Sequence, residues 1–178
     1  AYANQFNITK LKWIFEGGDS NQHSIRNGLW GLRDAGCAED DIILVHDGVR
    51  PLVAERIITE NIEKCRKYGY AITGMICKEA IMQKVDDCVK NIDIPRERLV
   101  RTQTPHTYPL GTLLKAHAEA DAKGIDGTVA SCTLMAELGV DNQHLVMGSE
   151  KNGLKLTQTE DVELFKALKH TTKDEWLK

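Results

Sequence analysis

The sequence lacks most of the features that would place it in a special class. Aromatic residues make up only 6% of its 178 residues, and it has 4 prolines. No apolar run approaches the length of a membrane span, and no tract is repetitive or of low complexity. An excess of one charge is missing as well: 23 Lys and Arg stand against 26 Asp and Glu, a formal net charge of -3. That balance argues against non-specific nucleic-acid binding and against attachment to an anionic membrane surface, both of which need a strongly basic face. Five cysteines occur (Cys37, Cys65, Cys77, Cys88 and Cys132), but none forms a CxxC pair or a Cys/His metal spacing. An odd, unpatterned set fits free thiols in a reducing compartment rather than a disulfide framework or a zinc site. The expected location is therefore the cytoplasm.

What is present is the composition of an ordinary globular domain, 42% hydrophobic and 28% charged. The length suits one domain with a substantial core. Apolar runs alternate with helical patterns, which predicts an α/β fold with a mostly parallel sheet. Lys12–Phe15 reads as a short strand ending at Glu16-Gly17-Gly18, followed by a helix with Ile25, Leu29 and Leu32 on one face and Ser20 as its cap. Asp41–His46 is nearly all apolar, the pattern of a strand covered on both faces. A helix with Ile58, Ile62 and Cys65 on one stripe follows Pro51, and Tyr70–Cys77 reads as a second buried strand. From Lys78 to Thr102 the pattern breaks into short apolar pieces, which suits an extended arm better than a core element. Helices are expected over Pro109–Lys123 and Val129–Leu138, then a strand at His144–Met147 and a helix from Thr159 to about Lys169, with a frayed tail from Thr171. Thr157-Gln158-Thr159-Glu160 fits a capping box for that last helix.

Three clusters could carry chemistry. Gly17-Gly18-Asp19, with Ser24 beyond it, falls at a strand-to-helix turn where bare backbone N–H groups can meet an anion; a plain turn would look the same. His46-Asp47-Gly48-Val49-Arg50-Pro51 follows the most apolar strand, at the end where open α/β sheets bind ligands. A carboxylate there can hold Mg²⁺ against phosphate oxygens, or Asp47 can simply cap a turn and pair with Arg50. In Asn152-Gly153-Leu154-Lys155-Leu156-Thr157 the lysine can neutralise a phosphate or snorkel at the surface.

Taken in order, Gly-Gly-x(5)-Ser, His-Asp-x-x-Arg-Pro, Arg-x(7)-Thr-Pro and Leu-Lys-x-Thr followed by Glu-Asp resemble the 2-C-methyl-D-erythritol 4-phosphate cytidylyltransferases and the related ribitol-5-phosphate cytidylyltransferases. The similarity runs from about Trp13 to Leu168. It implies a Rossmann-like, three-layer nucleotidyltransferase fold with an extended β-arm at about 77–102 that exchanges across a homodimer. It also implies transfer of CMP from CTP to a small polyol phosphate with release of pyrophosphate, a step of isoprenoid or of teichoic acid or capsule biosynthesis. On this resemblance Gly18, Asp19 and Ser24 line the cytidine pocket, and Gly48 packs close to the nucleotide. Asp47 holds the Mg²⁺ on the CTP phosphates. Arg96, reaching from the neighbouring subunit, and Thr104 bind the polyol phosphate, and Lys155 meets the phosphates. The nucleophile is already an anion, so His46 and His106 read as packing or turn residues rather than bases.

The family's opening Gly-rich loop, with its arginine and lysine, has no counterpart before Gly17. The expectation is accordingly an N-terminally truncated cytidylyltransferase domain over 1–178, with a non-catalytic, dimerising remnant as the alternative. Glu79-Ala80 stands where the methylerythritol enzymes carry Asp-Thr, and Val129-Ala130-Ser131-Cys132 replaces Thr-Asp-Glu-Ala. Those departures lean toward the ribitol branch.

Overall fold

The computed structural model describes residues 2–171, and the tail expected to fray beyond Thr171 lies outside them. The described backbone falls into two compact units, 2–41 with 110–139, and 42–109 with 140–171.

The first unit is helical. After a short α1 (Tyr2–Gln5), α2 (Asn21–Asp34) packs on α4 (Leu110–Lys123), and α5 (Ser131–Glu137) packs on α4 as well. Ser20 caps α2 as its sequence position predicts, its hydroxyl accepting from the His23 N–H at 3.1 Å. Buried Leu29 of α2 and Leu113, Ala116 and Ala120 of α4 belong to the core. An ion pair of 2.8 Å between Arg26 and Asp121 ties the two helices at their rim. The strand expected at Lys12–Phe15 is not formed: residues 11–18 have no regular structure, and no described strand lies beside them to complete a ladder.

The second unit is a mixed sheet covered by a helix. Its order is β1 (Ile42–Val45), β5 (Val100–Pro109), β2 (Ala71–Ile76), β6 (His144–Met147). β1 and β2 both run antiparallel to β5, and β6 runs parallel to β2, so three of the four strands point one way. β1, expected to be covered on both faces, is an edge strand and only half buried. α3 (Glu55–Tyr68) packs on the sheet through Ile57, Asn61 and Cys65, a stripe one residue behind the expected Ile58 and Ile62. Ile57, Cys65, Ala71 and Val146 close this core.

β5 corrects the sequence reading most. Its first residues fall in the segment expected to be arm, yet it is the strand on which β1 and β2 both pair. Its interior is polar in composition, with Gln103, Thr104, His106 and Thr107 all buried, so no apolar signal marks it. The polar groups are absorbed by a network: Asn61 donates to Thr73 Oγ1 at 2.9 Å, Thr73 donates to Pro105 O at 2.9 Å, and Thr107 donates to Asn61 Oδ1 at 3.3 Å. Between Ile72↔His106 and Thr73↔Gln103 the register shifts, leaving Thr104 and Pro105 unopposed as a bulge. The remainder of the arm segment holds a hairpin of β3 (Gln83–Val85) and β4 (Cys88–Lys90), exposed throughout, and a 3-10 turn at Arg96–Arg98. Two short helices complete the second unit, α6 (Glu150–Gly153) and α7 (Thr159–Thr171). α7 is capped from within: the Asp161 carboxylate accepts from the backbone N–H groups of Thr157 and Gln158, both at 2.8 Å, in place of the expected box to Glu160.

Candidate functional site

The turn after β1, the bulge of β5 and the loop that follows β6 meet at Asp47. The chain leaves β1 in a tight turn, with the Arg50 N–H donating to Asp47 O at 2.9 Å. The Asp47 N–H donates to Thr104 Oγ1 at 3.1 Å, so the bulge of β5 fixes the aspartate's backbone. His46 bridges the same turn: Nε2 lies 2.9 Å from Arg50 O and Nδ1 lies 3.0 Å from Thr104 Oγ1. A carbonyl can only accept, so Nε2 donates to Arg50 O. His46 is thereby occupied in the turn, as the sequence reading expects.

Two cations meet the Asp47 carboxylate on one oxygen. Arg50 Nε donates to Oδ2 at 3.0 Å, and Lys155 Nζ lies 3.3 Å from the same atom. Burial pushes the Asp47 carboxyl up, but the Arg50 hydrogen bond and the Lys155 charge outweigh it and hold the group below its ordinary value of 3.8. The carboxylate is thus ionised at neutral pH, and both cation contacts fall on Oδ2. Arg50 also donates to Gly153 O, tying the aspartate's turn to the loop that carries the lysine. Asp47 is one-quarter exposed and Lys155 nearly half exposed. A pair so open to water adds about 0–1 kcal/mol to stability. Its significance is the local charge instead: one anion and two cations leave this strand end net positive, a place for phosphate oxygens. Beside it lies a cavity of about 470 Å³ lined in part by Arg50, Lys151 and the ion pair of Arg101 with Glu150.

Of the residues expected at the site, Asp47, Thr104 and Lys155 are brought together. Gly48 is exposed, and a Cβ built there meets nothing, so the backbone is open to a ligand. Arg96 is elsewhere: its guanidinium donates to Lys78 O at 3.3 Å and borders a cavity of about 530 Å³ formed by residues 80–99 alone. Gly18, Asp19 and Ser24 belong to the first unit. There the Gly18 N–H donates to Ser24 Oγ at 3.0 Å, Ser24 donates to Ser20 O at 2.9 Å, and Asp19 is exposed. A Cβ on Gly18 would collide with His23, so this turn needs glycine.

The sequence offers Arg50 only as a pairing partner for Asp47, and it assigns no role to Gln103 or to Asn152, although Asn152 opens the lysine cluster. Arg50 could have been found from its spacing, since i+3 in a tight turn returns a side chain over the first residue. Gln103 and Asn152 gave no signal, because a buried amide and an exposed one read alike in sequence.

Comparison with known proteins shows the family. Residues 2–170 match the family model of 2-C-methyl-D-erythritol 4-phosphate cytidylyltransferase. A ribitol-5-phosphate cytidylyltransferase of Lacticaseibacillus paracasei is 41% identical over 93% of this chain and 70% of its own. A 2-C-methyl-D-erythritol 4-phosphate cytidylyltransferase of Clostridium acetobutylicum is 36% identical over 89% of this chain and 66% of its own. Among solved structures, the 2-C-methyl-D-erythritol 4-phosphate cytidylyltransferase of Thermus thermophilus superposes with a TM-score of 0.73 at 28% identity, covering 88% of this chain and 72% of that one.

Proposed function

Because the chain belongs to the 2-C-methyl-D-erythritol 4-phosphate cytidylyltransferase family, we propose that it transfers CMP from CTP to ribitol 5-phosphate, with 2-C-methyl-D-erythritol 4-phosphate as the alternative acceptor. The observation that carries the reading is the double grip of Arg50 and Lys155 on a single Asp47 oxygen at the end of β1. The relatives' names support the reaction class, and the 41% identity to a ribitol enzyme supports the choice of acceptor. In the other acceptor's favour stands a 36% identical relative named for it.

In the reaction a phosphate oxygen of the polyol phosphate attacks the α-phosphorus of CTP. One P–O bond forms, the bond to the β-phosphate bridge breaks, and pyrophosphate leaves with the electron pair. No proton need move, so rate enhancement comes from placing and neutralising the anions. Lys155, on a side chain long enough to leave Asp47, lies against the reacting phosphates. Arg50 keeps Asp47 ionised and oriented, and Thr104 holds its backbone while meeting the acceptor. Gly48 gives the nucleotide close access to backbone.

The site suits Mg²⁺ in one specific way. Among the described residues no group of three or more His, Cys, Asp or Glu side chains could cage a metal, whereas Asp47 offers an ionised carboxylate beside a phosphate-attracting pair of cations. Mg²⁺ that arrives on nucleotide phosphates needs no more than one or two carboxylates from the protein. Asp47 would hold it, and the ion would supply neutralisation of the triphosphate charge. A homodimer belongs to the same proposal. The exposed apolar side chains Ile81, Met82, Val85, Val89 and Ile94 of the arm suit burial against a second copy. The cavity that Arg96 borders is formed by residues 80–99 of the arm and holds neither Asp47 nor Lys155, which suits delivery to a partner's site. Cytoplasmic location is supported by five free cysteines. Among the described residues no helix is long and apolar enough to cross a membrane.

The test is pyrophosphate release from CTP and Mg²⁺ with each acceptor in turn. Release with ribitol 5-phosphate is expected. Silence with both acceptors would instead favour a dimerising protein without catalysis.

A further inference from the structure

We infer that the buried amides of Asn152 and Gln103 are positioning residues that set where Lys155 stands. The inference rests on the phosphate role proposed for Lys155 and deepens it.

The lysine's own contacts cannot place it. Its pair with Asp47 is nearly half exposed, too weak to hold a side chain of four rotatable bonds. Its position must therefore come from the loop beneath it. That loop leaves β6 at Gly148, and the Asn152 N–H donates to Ser149 Oγ at 3.1 Å. The Asn152 side chain is fully buried, and its Nδ2 donates to Gln103 Oε1 at 2.8 Å and to Thr104 O at 3.2 Å. Gln103 Nε2 in turn donates to Ser149 O at 2.9 Å, which closes a ring of bonds between β5 and the lysine loop. The ring is gripped on both sides, since a Cβ at Gly148 or at Gly153 would collide with the Gln103 amide. Thr104 is the common base: its hydroxyl takes the Asp47 N–H, and its carbonyl takes the Asn152 amide. The Leu156 N–H, next to Lys155, then donates to Val49 O at 2.8 Å. Aspartate and lysine are thus both referenced to one residue of β5.

This is a costly way to fill buried space. Asn152 Oδ1 has no partner among the described residues, and a buried acceptor without one costs about 1–3 kcal/mol. A shape-matched apolar residue would avoid that cost, so what the fold keeps is the donor and the geometry it imposes.

The test is a cycle of variants. Asn152→Asp keeps the volume and removes both donated bonds, and Gln103→Met keeps the length without burying a charge, in case the first variant fails to fold. Each is made alone and with Lys155→Ala, and kcat, KM for CTP and the melting temperature are measured. Alone, each is expected to lower kcat by about 10-fold or more, the penalty of a small misplacement, while KM for CTP changes less than about 3-fold. With Lys155→Ala, neither should lower kcat further. An equal loss in both backgrounds, or a kcat unchanged by either substitution, overturns the positioning role. A wild-type kcat in Lys155→Ala alone would instead remove the phosphate role of the lysine.

Discussion

Lys155 Nζ lies 3.3 Å from Asp47 Oδ2, the oxygen that Arg50 Nε already occupies at 3.0 Å. The lysine is therefore the more loosely held of the two cations, and it is the one free to exchange its carboxylate for a phosphate. Arg50, only 13% exposed and bonded also to Gly153 O, stays with the protein. This division of labour separates the expected effects of substitutions around the site.

Asp47→Asn keeps the shape and removes the charge. kcat should fall by on the order of 10²-fold or more, because both the cation pair and the place for Mg²⁺ are lost. Steady-state pyrophosphate release at saturating CTP measures it. A rate near that of the unsubstituted protein would take Asp47 out of the site.

Arg96→Ala removes a guanidinium that, in its own chain, donates to Lys78 O and borders the arm cavity. KM for the polyol phosphate should rise by about 10-fold or more, as befits loss of a charge-assisted contact, with KM for CTP little changed. Equal effects on the two would contradict an acceptor-side role delivered by a second subunit.

Acid should destabilise the protein through two buried histidines. Burial pulls His106 from 6.5 to about 4, against a smaller upward pull from the Gln103 backbone and the Asp47 charge. Burial likewise pulls His117 to about 4, with Asp121 opposing. Unfolding returns each to about 6.5, so between these values the unfolded chain binds more protons. Stability is full above about pH 6.5 and falls as pH drops toward about 4, by up to about 3 kcal/mol per histidine. Urea midpoints between pH 7.5 and 4.5 would follow this, and His106→Gln with His117→Gln should flatten the curve. An equally steep curve in the double variant would refute the assignment.

The polar interior of β5 depends on α3. Asn61→Ala removes the amide that serves Thr73, Thr107 and Ile57 O and leaves buried groups unpaired, at an expected cost of about 2–4 kcal/mol. Chemical denaturation measures it, and a loss under about 0.5 kcal/mol would mean that the network adapts.

How much could be read from sequence follows the same physics. β2, β6, α4 and the cap at Ser20 were legible because apolar runs, helical spacing and cap chemistry are local. Asp47 and Lys155 were legible as members of ordered motifs. β5 was not, because its buried positions hold Gln, Thr and His whose partners lie on α3, on β2 and after β6. The false strand at Lys12–Phe15 shows the converse, since apolar residues in a row make a strand only where a ladder can form. Asn152 and Gln103 were silent for the reason β5 was: their function is a contact between distant segments.

The most direct measurement of the central claim is the rate of pyrophosphate release from CTP, Mg²⁺ and ribitol 5-phosphate by the unsubstituted protein and by Lys155→Ala. The expected result is acceptor-dependent release that drops by roughly 10²-fold without the lysine. Release that persists undiminished in Lys155→Ala, or that never depends on the polyol phosphate, would contradict it.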